Sequence, residues 1–310
     1  MTGWNASDIP DQSGRTAVVT GANSGLGHVT ARELARRGAR VVLACRSEVR
    51  GSEAVDRLVS EVPCAHAEFV RLDLGDLESV REFAAAYERA HDRLDLLVNN
   101  AGVMALPHGR TADGFETQFG VNHLGHFALT GLLLPALLTT PGARVVTLSS
   151  GIHAIANIDI TDLNSERQYR RWIAYGRSKT ANLLFTHELA RRLATIGSEV
   201  VAAAAHPGYA VTNLQTTGPR MAGRKGAERF IGTATRILGQ SAEAGALPTL
   251  YAATAPGVLP DSFTGPSFAM WRGSPAKSWR AGWTLNDAVG ERLWEASEEL
   301  TGVTYDALKV

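Results

Sequence analysis

The sequence predicts an α/β fold: a doubly wound parallel sheet with helices on both faces. Three observations carry that prediction. Six short apolar runs alternate with amphipathic helical patterns over the first two thirds of the chain, the rhythm of repeated strand–helix–strand units. The first run leads at once into a glycine-rich turn. No repeat, low-complexity stretch or linker divides the 310 residues, a length that suits one large α/β domain with a substantial core. The expectation is a single domain over 1–310, with a small C-terminal substrate lid at about 213–283.

Arg15 to Thr20 (RTAVVT) reads as a buried strand, and the helical pattern after it runs through Val29, Leu34 and Ala35 to Gly38. Gly after Arg36-Arg37 fits a helix end, with positive charge in the last turn. Ala39 to Cys45 is the second strand, so 15–45 forms one βαβ unit. Between strand and helix lies Gly21-Ala22-Asn23-Ser24-Gly25-Leu26-Gly27. Glycines there let the backbone approach a pyrophosphate, and the helix N-terminus supplies N–H groups and positive dipole. After the second strand comes Cys45-Arg46-Ser47, with no acid until Glu48. An acid at that point would favour a ribose 2′-OH, whereas an Arg accommodates a 2′-phosphate. NADP(H) is therefore expected over NAD(H), against the alternative that Arg46 only solvates a loop.

Glu48 to Val59 reads as a helix, and Ala67 to Leu72 as the third strand, ending at Asp73-Leu74. Leu77 to Ala90 reads as a helix, and Leu94 to Val98 as the fourth strand. Asp73 at a strand end suits an adenine contact; helix capping competes, and Asp76 meets that need better. Asn99-Asn100-Ala101-Gly102 follows, with small residues against which a cofactor can lie. Ala112 to Leu138 contains a long helical pattern that holds Val121 to Phe127, with Pro135 near its end or kinking it. Arg144 to Leu148 is the fifth strand and delivers Ser149-Ser150. A polar, irregular insertion runs to Trp172, then a helix starts near Ala174. Glu199 to Ala205 is the sixth strand, leading into His206-Pro207-Gly208. From Val211 to about Gly239 the alternation lapses, with an amphipathic helix suggested by Phe230, Ile231, Ile237 and Leu238. Ser241 caps a helix to Ala255, Phe263 to Ala269 is a last short strand, and Leu285 to Leu300 a terminal helix.

The chemical signal is Tyr175-Gly176-Arg177-Ser178-Lys179, with Ser150 upstream. Residues four apart share a helix face, so Tyr175 and Lys179 point the same way. A free tyrosine titrates near pH ~10, and a nearby cation lowers that value, making a general acid/base for an oxygen. Alone, the spacing is weak evidence and describes a surface Tyr and Lys on an amphipathic helix better than a catalytic pair. Lone histidines at 123, 126, 153 and 206 read as structural. Met221, Phe230, Phe263, Met270 and Trp271 either line the lid or pack in the core.

Lys+Arg and Asp+Glu are 31 each, for a formal net charge of zero, which gives no electrostatic reason to expect nucleic acid or an anionic membrane. Cys45 and Cys64 are the only cysteines and lack metal-site spacing, so no metal is expected. With no secretory signal, free thiols and a cytoplasmic location are expected. No apolar run is long enough to span a bilayer.

Thr20-Gly21-x-x-x-Gly25-x-Gly27, Asn99-Asn100-Ala101-Gly102, Asn122, Ser150, Tyr175-x-x-x-Lys179 and Pro207-Gly208 occur in the order found in short-chain dehydrogenases/reductases, which the chain resembles closely over about 14–213. Ala44-Cys45-Arg46, the phrase from Thr111 to Phe127, Ser178-Lys179-x-x-Asn182 and the long gap between Ser150 and Tyr175 resemble the retinol-dehydrogenase-like subgroup. The polar stretch Met1 to Ser13 does not match the membrane anchor of many animal members, which points away from retinol itself as substrate.

The resemblance implies a Rossmann-type fold. It also implies hydride transfer between NADP(H) and a carbonyl or alcohol of a small, apolar molecule. Tyr175 is then the proton donor/acceptor, Lys179 lowers its pKa and holds the nicotinamide ribose, Ser150 binds the substrate oxygen, and Asn122 maintains a water-linked proton path. Gly21, Asn23, Ser24, Gly25, Leu26 and Gly27 form the pyrophosphate turn. Arg46 takes the 2′-phosphate, Asp73 and Leu74 lie by the adenine, and Asn100, Ala101 and Gly102 lie along the ribose. Pro207, Gly208 and Thr212 bracket the nicotinamide. Homo-oligomers are common in the family. A catalytically idle NADP(H)-binding sensor or scaffold is the alternative function, although such proteins usually lose the Tyr or Lys.

Overall fold

The computed structural model describes residues 3–208 and 240–309; the expected helix through Phe230 and Leu238, and Thr212, lie outside them. Six strands arise where the apolar runs predict them: β1 (Thr16–Thr20), β2 (Arg40–Cys45), β3 (His66–Arg71), β4 (Leu96–Asn99), β5 (Arg144–Leu148) and β6 (Val201–Ala205). β7 (Phe263–Phe268) adds to β6 in parallel, and β8 (Arg272–Lys277) returns antiparallel on β7. The sheet order is β3-β2-β1-β4-β5-β6-β7-β8. Strand order reverses between β1 and β4, and ligands of open α/β sheets bind beyond the strand ends at such a point.

β1 alternates its two faces: Val18 joins one core, Ala17 and Val19 the other. Both faces are therefore covered, which is why the strand reads as an unbroken apolar run. On the first face pack α3 (Leu77–Ala90), α5 (Gly125–Leu132), α7 (Arg171–Thr195) and α9 (Asp287–Thr301). On the second pack α1 (Gly25–Arg36), α2 (Glu48–Glu61) and α8 (Ala242–Thr254). Ser241 caps α8 as expected, accepting the Ala244 N–H.

Two features refine the sequence reading. The helical pattern within Ala112 to Leu138 begins at Thr117, because Glu116 caps it by accepting the Gln118 and Phe119 N–H groups at 2.9 and 2.8 Å. It runs through α4 (Thr117–Phe119), a π-helical turn at Gly120–Leu124 that carries Asn122, then α5 and α6 (Leu134–Leu138). The strand β8 was not foreseen: Arg-Gly-Ser-Pro-Ala-Lys has little strand propensity, and its Pro275 is tolerated because β8 is the sheet edge. Within 213–283, α8 and β7 belong to the framework, with Ala246, Leu250, Ala252 and Ala253 fully buried. Among the described residues no helix is long and apolar enough to cross a membrane.

Candidate active site

A cavity of about 490 Å³ opens at the C-terminal ends of the central strands. Gly21, Asn23, Ser24, Gly25, Leu26 and Gly27 line one side of it. The turn needs its glycines. Gly21 and Gly25 have φ +67° and +56°, a region that L side chains avoid. A Cβ on Gly27 would lie 2.5 Å from Asn100 Nδ2 and 2.6 Å from the Gly21 carbonyl oxygen. Asn100 ties the two walls together by donating to the Thr20 carbonyl at 2.7 Å, and the Asn100 and Ala101 N–H groups both donate to Thr20 Oγ1 at 2.9 Å. Such a cradle suits a diphosphate lying on the N-terminus of α1.

Arg46, Asp73 and Leu74 line the far end. Arg46 Nε lies 4.0 Å from Asp73 Oδ2, and its side chain is 70% exposed. Asp73 accepts the Gly75 N–H at 3.0 Å, whereas Asp76 caps α3 through Glu78 and Ser79. Capping thus leaves Asp73 free of that duty. Ser47 and Arg50, not singled out in the sequence, also line this end. The signal was present: Ser47 caps α2 and Arg50 stands in its first turn, beside Arg46.

Tyr175 and Lys179, from the first turns of α7, line the cavity together with Gly102 and Ala101. Both are buried. Lys179 Nζ donates to the Leu148 carbonyl at 3.1 Å and lies 5.8 Å from the centre of the Tyr175 ring. Burial pulls the Lys179 ammonium down to about 8. Burial pushes the Tyr175 hydroxyl up to about 12, with a hydrogen bond from Ser150 working against it. The expected lowering of Tyr175 by Lys179 is not what this arrangement gives: desolvation dominates and Ser150 supplies the opposing effect. A Cβ on Gly102 would lie 3.1 Å from Asn122 Oδ1 and 3.5 Å from Lys179 Nζ, so Gly102 keeps this corner open.

Ser150 itself does not line the cavity; its neighbour Ser149 does, donating to the Lys179 carbonyl at 2.8 Å. Ser150 Oγ accepts the Ile152 N–H at 3.3 Å and reaches Tyr175. The polar insertion after Ser150 opens with a 3-10 turn over Gly151–Ile155. Asn122 lies just behind the cavity wall. Its Oδ1 accepts the Val103 N–H at 2.7 Å, and its Nδ2 donates to the Val103 carbonyl and Ser178 Oγ at 2.9 Å each. Those bonds fix the side chain. Its carbonyl bonds His126 Nδ1 at 3.0 Å, and Thr20 Oγ1 bonds His126 Nε2 at 2.9 Å. Burial holds His126 down at about 4, so it is neutral. Pro207 lines the cavity; Gly208, with φ +64°, packs under the β7–β8 hairpin. No cluster with metal-ligand geometry occurs among the described residues.

Residues 15–222 match the short chain dehydrogenase family, and the chain belongs to that family as an oxidoreductase. Within it the chain is retinol-dehydrogenase-like. It is 43% identical over 299 residues to human (Homo sapiens) retinol dehydrogenase 13, covering 96% of this chain and 87% of that protein. It is 41% identical over 297 residues to mouse (Mus musculus) retinol dehydrogenase 12, covering 94% and 88%. The crystal structure of an uncharacterized protein from Mycobacterium paratuberculosis is similar at 45% identity and TM-score 0.81, covering 98% of this chain and 99% of that one. Two solved structures similar to this chain carry different cofactors. A Beutenbergia cavernae NAD(P)-dependent gluconate 5-dehydrogenase has bound NADP (29% identity, TM-score 0.59, covering 79% and 91%). A Burkholderia phymatum short chain dehydrogenase/reductase is in complex with NAD (26%, 0.62, 78% and 86%).

Proposed function

We propose that this chain is an NADP(H)-dependent reductase of ketones or aldehydes whose bodies are apolar, with Tyr175 as the proton donor. The observation that carries the reading is that Tyr175, bonded by Ser150, and Lys179 line a cavity whose glycine turn fits a diphosphate. NADPH supplies the hydride when bound. Gly21 to Gly27 hold its diphosphate, Asn100 to Gly102 and Lys179 its ribose, Pro207 and Gly208 its nicotinamide, and Arg46 its 2′-phosphate.

The remaining chemistry belongs to the chain. Ser150 Oγ accepts the Ile152 N–H, and its own proton, which bonds the Tyr175 hydroxyl, turns to the substrate oxygen when a carbonyl lies between the two hydroxyls. As hydride reaches the carbonyl carbon, the C=O electron pair moves to oxygen, and that oxygen takes the proton of Tyr175. Two hydroxyl donors converging on one developing oxyanion are worth most inside a desolvated site. With its pKa near 12, Tyr175 enters the reaction protonated, the form that reduction requires. Lys179, still mostly charged at pH 7 with its pKa near 8, then returns the proton to the tyrosinate, and Asn122 holds the wall behind it. Aliphatic, steroid, quinone and retinal-like carbonyls assayed with NADPH and with NADH test this reading. Consumption of NADPH with at least one carbonyl is expected; none across the panel, or a strong NADH preference, would count against it.

A further inference from the structure

The reversal between β7 and β8 runs through Ala269, Met270 and Trp271 and is closed by the Trp271 N–H on the Phe268 carbonyl at 2.8 Å. Ala269 and Met270 have φ +49° and +58°. Two successive left-handed residues in a hairpin are ordinarily Asn and Gly. In Ala and Met this backbone is strained, and such strain gathers where function requires a particular shape.

The strained tip lies against the loops that follow β5 and β6, beside Gly151 and Gly208. A Cβ on Gly151, next to Ser150, would lie 3.8 Å from Met270 Cε. A Cβ on Gly208 would lie 2.4 Å from the Trp271 carbonyl oxygen and 2.7 Å from Pro266 Cγ, so the hairpin rests directly on that glycine. Two histidines from the same loops hold the chain beyond β8. His206 Nδ1 accepts the Gly208 N–H at 3.2 Å, which leaves Nε2 to donate to Ser278 Oγ at 2.8 Å. His153 Nε2 accepts the Ala281 N–H at 3.1 Å, which leaves Nδ1 to donate to the Ser150 carbonyl at 2.6 Å. The hairpin, the Ser150 loop and the Pro207-Gly208 loop are thus tied into one piece.

Large apolar side chains open to solvent gather around that piece. Phe268 is 65% exposed, Trp279 60% and Trp172 46%. Trp279 lies 5.8 Å from His153, and Trp172 stands edge-on to Tyr175 at 6.4 Å. Apolar surface gathered in one place marks a binding site, whereas scattered apolar residues need no explanation. Met adapts its shape to an apolar ligand.

We propose that the tip of the β7–β8 hairpin is the specificity-determining wall of this site, and that Met270 contacts the apolar body of the substrate beside the carbonyl held by Ser150 and Tyr175. The proposal rests on the reading of the previous subsection. The substrates it selects are ketones or aldehydes with an extended hydrocarbon or aromatic body.

The test compares the native protein with the double variant Ala269→Asn/Met270→Gly, and with Met270→Ala, which keeps the original turn. Reduction of 2-decanone and acetone with NADPH is measured, together with Tm and calorimetric titration of 2-decanone into the NADP+-loaded protein. The double variant relaxes the turn, so Tm should rise by about 2–6 °C. In both variants the ratio of kcat/KM for 2-decanone to that for acetone should fall about tenfold, and 2-decanone should bind correspondingly more weakly. An unchanged ratio and unchanged 2-decanone affinity would overturn the proposal, as would a native protein that fails to bind 2-decanone. If the native protein binds 2-decanone but reduces neither ketone, the reductase reading fails while the titration still decides the role of the wall.

Discussion

Replacing Arg46 with Ala should separate the two cofactors. Arg46 stands just past the end of β2, lines the cavity beside Asp73 and is 70% exposed. Its guanidinium offers a fork that matches a phosphate. A hydrogen bond to a charged group contributes about 1.5–3 kcal/mol, and a tenfold change in affinity corresponds to about 1.4 kcal/mol. Solvent exposure places Arg46 towards the lower end of that range, and Arg50 remains nearby to share the charge. The KM for NADPH should therefore rise roughly 10- to 50-fold, with KM for NADH changed by less than about twofold. Stability should hardly move, because the Arg46–Asp73 pair at 4.0 Å is solvent-screened and exposed pairs are worth about 0–1 kcal/mol. Steady-state kinetics with both cofactors at one fixed ionic strength, plus a thermal melt, make the test. Equal losses for NADPH and NADH would show a structural role for Arg46. No loss for NADPH would show that something else holds the 2′-phosphate.

Three further outcomes follow from the same geometry. Gly27→Ala places a methyl against Asn100 Nδ2 and the Gly21 carbonyl; it should weaken NADP(H) binding more than about tenfold and destabilise the fold by about 1–3 kcal/mol, read by fluorescence titration and denaturant unfolding. Lys179→Met should abolish turnover yet raise Tm at pH 7. The folded pKa of Lys179 is depressed from 10.5 to about 8, so its favourable contribution is complete above the unfolded value and is lost as pH falls through that window. At pH 7 the charged lysine therefore costs on the order of 3 kcal/mol, while Asn182 still bonds the Leu148 carbonyl at 2.9 Å. The rate of carbonyl reduction should hold near neutral pH and fall above about pH 8 as Lys179 loses its proton; a profile flat to pH ~10 would contradict that role.

The parallel sheet was legible because β1, β2, β4 and β5 are buried on both faces and so read as plain apolar runs. The cradle was legible because Gly21 and Gly27 answer to local needs, a left-handed turn and a close approach of the Asn100 side chain. What escaped the sequence depends on distant partners. β8 forms only because β7 offers an edge, and its own residues favour a turn. Asn122 is fixed by Val103 and Ser178, contacts that no spacing announces. The position of Tyr175 beside Lys179 followed from helical periodicity, but the balance of burial and charge on its hydroxyl did not, because desolvation is a property of the packed protein. His153 and His206 read as lone structural histidines; their links to Ala281 and Ser278 cross from early loops to the C-terminal segment.

The central claim is that Tyr175 hands the proton to the carbonyl oxygen. The most direct measurement compares kcat for the best ketone substrate between the native chain and Tyr175→Phe at pH 7, with the NADPH dissociation constant measured alongside. Loss of a positioned general acid lowers the rate about 10²–10⁴-fold, and cofactor affinity should stay within about threefold because the hydroxyl is not among the groups that hold the diphosphate. Turnover undiminished in Tyr175→Phe would contradict the account.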